Sequence, residues 1–235
     1  MSSKRYRKAA ERVGGTSSYA IGEAVTLLKD LTTAKFDEAV ELSASLNLDP
    51  KKTDQVVRGT VMLPHGTGKV RRVAVFCKGE QELLAKEAGA DVVGGAELIQ
   101  KIQDGWLEFD VAVATPAMMR DVSRLGKILG PRGMMPNPKT GTVTDDVAKA
   151  VKEVKLGKVE FKMDKLANIH FVIGRRSFQA QQLVENGQVA IDAIVRARPL
   201  SLKGRLIRRL SLASTMSPGI PLKTEGLEVE TAEAV

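Results

Sequence analysis

The chain has 235 residues, 43% of them hydrophobic and 27% charged, with one cysteine, two histidines and a formal net charge of +8. That is enough for two modest cores, an intrachain disulfide is impossible, and no apolar run nears the roughly 20 residues of a membrane helix, so a soluble intracellular protein is expected. The basic balance favours polyanionic partners through counterion release, and it is uneven: residues 67–157 carry 14 Lys+Arg against 12 Asp+Glu, while 223–235 hold one Lys and four Glu.

The N-terminal MSSKRYRKAAERV is basic and no apolar run follows it, so no signal peptide is expected. A helix is predicted from about Tyr19 to Leu31. FDEAVELSASLNLD then alternates in part, with Ala39, Leu42, Ala44, Leu46 and Leu48 as its apolar positions, and QVVRGTVMLP reads as a second β segment. From Val70 the pattern becomes strand, then helix. VRRVAVFC (Val70–Cys77) is a short apolar strand, and EQELLAKEAG is a helix stopped by Gly89. ADVVGG is a brief strand, and AELIQKIQDG repeats the helix-then-glycine pattern to Gly105. FDVAVATP (Phe109–Pro116) is a continuous apolar run of the kind buried in parallel sheets. Ala117–Leu129 puts Met118, Val122, Leu125 and Leu129 at helical spacing, with Arg120, Arg124 and Lys127 on another face. Thr144 is expected to cap a helix carrying Val147, Val151 and Val154, with Asp145 and Asp146 in its first turn. Three strands among four helices predict a small open α/β sheet.

After this middle come VEFKM, ANIHFVIG, a long helix from Ser177 to about Arg196, and a last strand, GRLIRRLSLAST. In that strand Leu206, Leu210 and Leu212 share one face, and Arg205 and Arg209 share the other. β segments on both sides of the middle predict an α+β domain built from both chain ends, with an α/β domain inserted. The expected boundaries are 1–66 plus 158–222 for the first, 67–157 for the second, and an acidic flexible tail at 223–235. The chain is expected to be loosely held from Pro218 onward. Gly66 and Gly68 in LPHGTGK, and Gly157 in KLGKVE, mark the two crossings and are the hinge candidates.

Within ILGPRGMMPNPKTGTV (128–143), GMMPNPKT nearly reads as the phosphate-cradling loop of NTPases. Pro138 stands where that loop needs a glycine, Pro136 removes another N–H donor, and the segment upstream reads as helix, not strand. A rigid surface loop is expected, from which Arg132 and Lys139 can reach a phosphate backbone.

ILGPRGMMPNP resembles the signature loop of the ribosomal protein L-one family, protein number one of the large ribosomal subunit. AKFDEAVEL, RGTVMLPHGTGK, GADVVGG, FDVAVATP, Ile169–His170 and SLASTMSPG resemble its bacterial branch in order and spacing. The resemblance spans nearly the whole chain apart from the extreme N-terminus and the acidic tail. It implies an α+β terminal domain with an inserted three-layer α/β (Rossmann-like) domain. It also implies a structural constituent of the large subunit that binds the mobile ribosomal RNA stalk at the tRNA exit site. Such a protein takes part in releasing deacylated tRNA and represses its own operon by binding an mRNA element that mimics the rRNA site. No cofactor and no metal are implied, and the free protein is expected to be a monomer.

By the same resemblance the RNA contacts fall on the terminal domain. The family's F-D-E motif maps onto Phe36, Asp37 and Glu38, and its S-T-M-G motif onto Ser214, Thr215, Met216 and Ser217. Lys35, Lys165 and His170 are the supporting phosphate or ribose contacts. Two departures stand out. Ser217 replaces the usual glycine, and a glycine between Lys165 and His170 is replaced by Ala167 or Asn168. A threonine hydroxyl can meet a 2′-OH, the group that marks RNA. On residue type alone Phe36 reads more often as core and Met216 simply as core, while His170 reads equally as a satisfied strand histidine, and Arg205 and Arg209 equally as a solvated face.

No catalytic constellation competes with this reading. His65 and His170 lie in different segments, Cys77 sits inside an apolar strand, and no metal-ligand spacing or G-x-S-x-G occurs. A general single-strand chaperone would stack bases on aromatic rings, yet aromatics make up only 4% of the chain.

Overall fold

The computed structural model describes residues 3–14, 18–31, 34–202 and 204–225. The chain divides into two compact units, one made of Met1–Gly68 with Val159–Val235 and the other of Lys69–Lys158. Up to the first crossing come α1 (Lys4–Val13), α2 (Ile21–Asp30), β1 (Ala39–Leu46) and β2 (Arg58–Met62). The second unit follows with β3 (Val73–Phe76), α3 (Glu80–Glu87), β4 (Val92–Gly94), α4 (Ala96–Gln103), β5 (Val111–Ala114), two one-turn helices α5 (Met119–Val122) and α6 (Gly126–Leu129), and α7 (Val147–Leu156). The chain returns through β6 (Lys158–Lys162), β7 (Asn168–Arg175), α8 (Ala180–Arg196), β8 (Ile207–Ser214) and β9 (Ile220–Leu222).

The first unit is two layers. Its antiparallel sheet has the order β7-β1-β8-β9, and β2 pairs with β6 separately. Period-two alternation in AVELSASL sends Val40, Leu42, Ala44 and Leu46 into the core and leaves Glu41, Ser43 and Ser45 on the other side. Ile169, Phe171 and Ile173 of β7, and Leu210 and Leu212 of β8, join the same core. It is closed by Ala24, Val25 and Leu28 of α2 and by Leu183, Ala190, Ile191 and Ile194 of α8, apolar residues spaced three and four apart. Each fully buried leucine here contributes roughly 1.5–3 kcal/mol of transfer free energy. Gly187 lets α8 approach α2, since a Cβ there would fall 2.6 Å from Ile21 Cδ1.

Asn186, fully buried on α8, ties three segments together. Its amide nitrogen donates to the carbonyls of Gly66 (3.0 Å) and Ile173 (2.7 Å), and its oxygen accepts from the His65 N–H (3.1 Å).

In the second unit β4-β3-β5 form a parallel sheet covered on both faces. Ala74, Phe76, Ala112 and Ala114 pack against α4 and the 116–129 segment; Val73, Val75 and Val113 pack against Ala85 of α3 and against Val147, Ala150, Val151 and Val154 of α7. Cys77 is buried, and burial pushes its thiol up to about 11, so it is a packing residue rather than a nucleophile.

Three expectations need correction, and one helix was not foreseen. Residues 4–13 form a helix, capped by Ser3 and anchored by Ala9 and Val13. The 116–129 segment is not one α-helix but alternates short 3-10 turns with α5 and α6; Ser123 Oγ bonds back to the Met119 carbonyl at 2.6 Å, a competitor to the regular ladder. The cap of α7 is Asp146, whose carboxylate accepts from Lys149 N, so Asp145 and Asp146 precede the helix; Thr144 accepts from Asp146 N one step earlier. The chain beyond Pro218 is not loose at once: β9 buries Ile220 and Leu222, and Tyr19 and Lys223 bond across its free edge. Of the acidic tail, residues 226–235 lie outside the described residues.

Asn186→Ala strands a donor and two acceptors in the interior. We expect a loss of about 3 kcal/mol in urea unfolding; a loss under about 1 kcal/mol would mean that these groups find other partners.

Candidate functional site

The helices cover one face of the four-stranded sheet. On the other face none of the outward residues is buried. Register places them in rows: His170, Ser43 and Ser211 in one; Asn168, Ser45 and Arg209 in the next; Val172, Glu41 and Ala213 on the other side. His170 Nδ1 lies 2.9 Å from Ser43 Oγ, so that histidine is a member of a hydroxyl-rich surface. Small polar side chains keep the face low, which lets a bulky partner approach the strands.

At the end of the sheet where β1 starts and β8 stops, two apolar side chains stand in solvent. Phe36 is 56% exposed and Met216 is 46% exposed. Neither is a core residue. Thr215 sits between the chain ends: its N–H donates to the Ala39 carbonyl (3.1 Å) and its Oγ1 accepts from Ala39 N (3.1 Å). Lys35 precedes Phe36 and is exposed.

Of the other motif residues, Glu38 and Ser214 are buried, while Asp37 and Ser217 keep some surface and bond within the fold. Glu38 is fully buried, and Ser214, 4% exposed, donates to its Oε2 at 2.5 Å. Asp37 accepts from Ser177 N (3.0 Å) and Ser177 Oγ (2.9 Å), and its carbonyl accepts from Arg175 Nη1 (3.1 Å). As direct contacts, Glu38 and Ser214 are corrected: they have almost no surface, and they hold Phe36 and Thr215 in place. Ser217 closes the turn after β8, its Oγ accepting from Ser214 N (2.8 Å) and donating to the Pro218 carbonyl (3.0 Å). Its φ is not in the left-handed region, so this position does not require glycine.

Lys165 lies at the far end of the sheet, in the turn before β7. Along a strand at about 3.3 Å per residue, the eight residues of β1 put it some 25 Å from the Phe36 end. In its turn Asp164 Oδ1 accepts from Leu166 N (2.8 Å) and Asn168 N (2.7 Å). Ala167 is the departure from glycine there: its φ of 61° is the one positive value for a non-glycine among the described residues. An alanine in this conformation costs of order 1 kcal/mol.

The loop at 130–143 is knitted by its own groups. Asn137 Oδ1 accepts from Lys139 N, Asn137 N donates to Thr142 Oγ1, Thr140 N donates to the Asn137 carbonyl, and Gly133 N and Met134 N bond back to Gly130 and Leu129. Those N–H groups are therefore not presented to a phosphate, while Arg132 and Lys139 remain exposed. Beyond the loop, Ala114 N donates to Thr142 O and Thr144 N to Ala114 O, so the chain there runs along β5. Among the hinge candidates, Gly66 is held by Asn186, and Gly68 (φ 73°) packs so that a Cβ would meet Arg175 Cγ at 2.7 Å. Gly157 (φ 111°) caps α7. His65 meets Glu185 of α8 at 2.5 Å, in the helix layer, so the two histidines do not share a site. No metal-binding group of His, Cys, Asp or Glu occurs among the described residues.

Sequence reading missed Ser43, Ser45, Ser211 and Glu41, although the alternation of SASL carried the signal. It also missed Arg175, Ser177 and Asn186, which nothing local marks.

Asn168 N–H leads the interactions that hold the Asp164 carboxyl below the usual carboxylate range. A depressed carboxyl contributes stability that is present above its unfolded pKa and lost as pH falls through the folded one. The 164–168 turn should therefore stay closed through the titration of a free aspartate and open only at lower pH, followed by the Asn168 amide NMR signal. A midpoint at or above that of free aspartate would contradict the geometry.

A model of the family described as "Ribosomal protein L1p/L10e family" matches residues 28–218. The Large ribosomal subunit protein uL1 of Thermobifida fusca (strain YX) is 55% identical over 220 residues, 94% of this chain and 94% of that protein. The protein of the same name from Cutibacterium acnes is 55% identical over 94% of this chain and 95% of its own length, and that from Nocardioides sp. is 52% identical over 99% and 98%.

Proposed function

Because the chain belongs to the ribosomal protein L1p/L10e family, we propose that it is a structural, non-enzymatic component of the large ribosomal subunit that binds the mobile rRNA stalk at the tRNA exit site. The observation that carries this reading is the uncovered face of the first unit's sheet, lined with hydroxyls and ending in exposed Phe36, Thr215 and Met216. A low, polar surface with two apolar projections suits shape readout of an irregular RNA, where phosphates position and few base edges are read. Phe36 offers a flat face to a base or sugar, and Thr215 a hydroxyl to a 2′-OH. Lys35, Lys165 and His170 add phosphate or ribose contacts along the same sheet. The protein remains a monomer when free.

The same surface serves translational repression, by binding an element of its own mRNA that mimics the stalk. The second unit carries only +2 of the net charge. Its part is to face exit-site tRNA transiently, with Arg132 and Lys139 reaching the phosphates, while motion about the two crossings, at Gly68/Lys69 and next to Gly157, accompanies release of deacylated tRNA.

Titration against a stalk fragment and a scrambled duplex of equal length, across salt concentrations, tests the stalk reading. We expect binding to the stalk alone, weakened tenfold or more (about 1.4 kcal/mol) by Thr215→Ala or Met216→Ala, with the unfolding midpoint unchanged in Met216→Ala. Equal binding of both RNAs, falling steeply with salt, would reduce the interaction to charge. Arg132→Gln with Lys139→Gln should slow tRNA release from reconstituted ribosomes; unchanged release would remove the loop from that step.

A further inference from the structure

The far end of the sheet carries features that a merely solvated rim does not need. Between Ser45 and Leu46 the partner on β8 steps from Arg209 to Ile207, so Arg208 is an extra residue in a β-bulge. The bulge breaks the alternation, and Arg208 and Arg209 both stand exposed while Leu206 and Ile207 are both buried. Arg208 Nη2 is held at 2.9 Å by Asn47 Oδ1, a neutral acceptor that orients the guanidinium and leaves its charge intact. Arg209 joins the open face in one row with Ser45 and Asn168.

Other cations converge there from distant parts of the chain. Leu46 N donates to the Ala167 carbonyl, which sets the turn bearing exposed Lys165 against the end of β1. The loop leaving β1 carries exposed Lys51 and Lys52. None of the ion pairs among the described residues uses Lys51, Lys52, Lys165, Arg208 or Arg209. The local carboxylates are Asp49, Asp54 and Asp164. Asp49 accepts from Lys51 N, and Asp164 Oδ1 accepts from two backbone N–H groups of its own turn. A bulge and a strained alanine thus meet where like charges are gathered, and both deviations from regular structure cost stability.

We propose that this end of the sheet is a second phosphate-binding surface, on which Arg208 and Arg209, with Lys51 and Lys52, grip the RNA backbone some 25 Å from the Phe36–Met216 end. The inference rests on the stalk-binding reading and extends it: RNA lies along the open face, selected at one end and clamped by charge at the other. Paired guanidiniums suit this task, because each presents a planar fork of donors to phosphate oxygens.

The test uses the full chain and the stalk fragment as probe, between about 50 and 200 mM salt. Arg208→Gln with Arg209→Gln should make the slope of log K against log salt shallower by about 1.5, at about 0.7–0.9 per lost phosphate contact, while the preference over scrambled duplex persists. Arg208→Lys with Arg209→Lys should restore most of the slope. Arg120→Gln with Arg124→Gln, an equal charge change on the second unit, should leave it unaltered. A slope unchanged in the double glutamine variant, or lowered as much by the Arg120/Arg124 pair, overturns the proposal and leaves stalk binding standing. Absence of stalk preference in the unsubstituted protein overturns both.

Discussion

The register of β1 is the constraint on which the first unit depends. This strand has no free edge: β7 lies on one side and β8 on the other, and each is antiparallel to it. Its side chains decide at once what is core and what is surface. A one-residue slip would bury Glu41, Ser43 and Ser45 and expose Val40, Leu42, Ala44 and Leu46. The hydroxyl rows of the open face exist only in this register, and so does the packing against α2 and α8.

Fixing the strand also fixes what precedes it. Because Val40 faces the core opposite Ser214, Glu38 enters the interior beneath Ser214, and Phe36 is left outside. Asp37 turns toward Ser177 and ties the segment entering β1 to the segment entering α8. Each motif thus buries one polar residue, Glu38 or Ser214, and presents an apolar one. The hydrogen bonds of the buried pair define one geometry for the exposed residues, which apolar residues packed without direction would not do.

Much of this was readable from residue order. The period of two in β1, the spacings of three and four in α2 and α8, and the apolar runs of β3 and β5 give their own positions. What escaped reading had physical reasons. In α1 only Ala9 and Val13 are buried, too few to produce a stripe. β9 is three residues long with Pro221 in its middle, which reads as a breaker until an edge strand is available to hold it. The Arg208 bulge is invisible because alternation across GRLIRRLSLAST has an acceptable regular reading. Asn186 looks like a polar interruption of a helix, and its three partners lie 13 to 121 residues away. Of the site, the exposed Phe36 and Met216 were marked by family resemblance, whereas their residue types pointed to a core.

The pairing of Ala39 with Thr215 spans 176 residues, and this orders events at synthesis. In the second unit, successive strands are joined by single short helices and all three lie within 42 residues, from Val73 to Ala114, so its contacts close as the chain emerges. β1 has no such option. At about 5–20 residues per second, it waits roughly ten to thirty seconds for β8 to follow, exposing two unpaired edges and four apolar side chains meanwhile. The interrupted unit is therefore the late and vulnerable half of folding, and its open sheet is completed only when nearly the last residue of the core has been made.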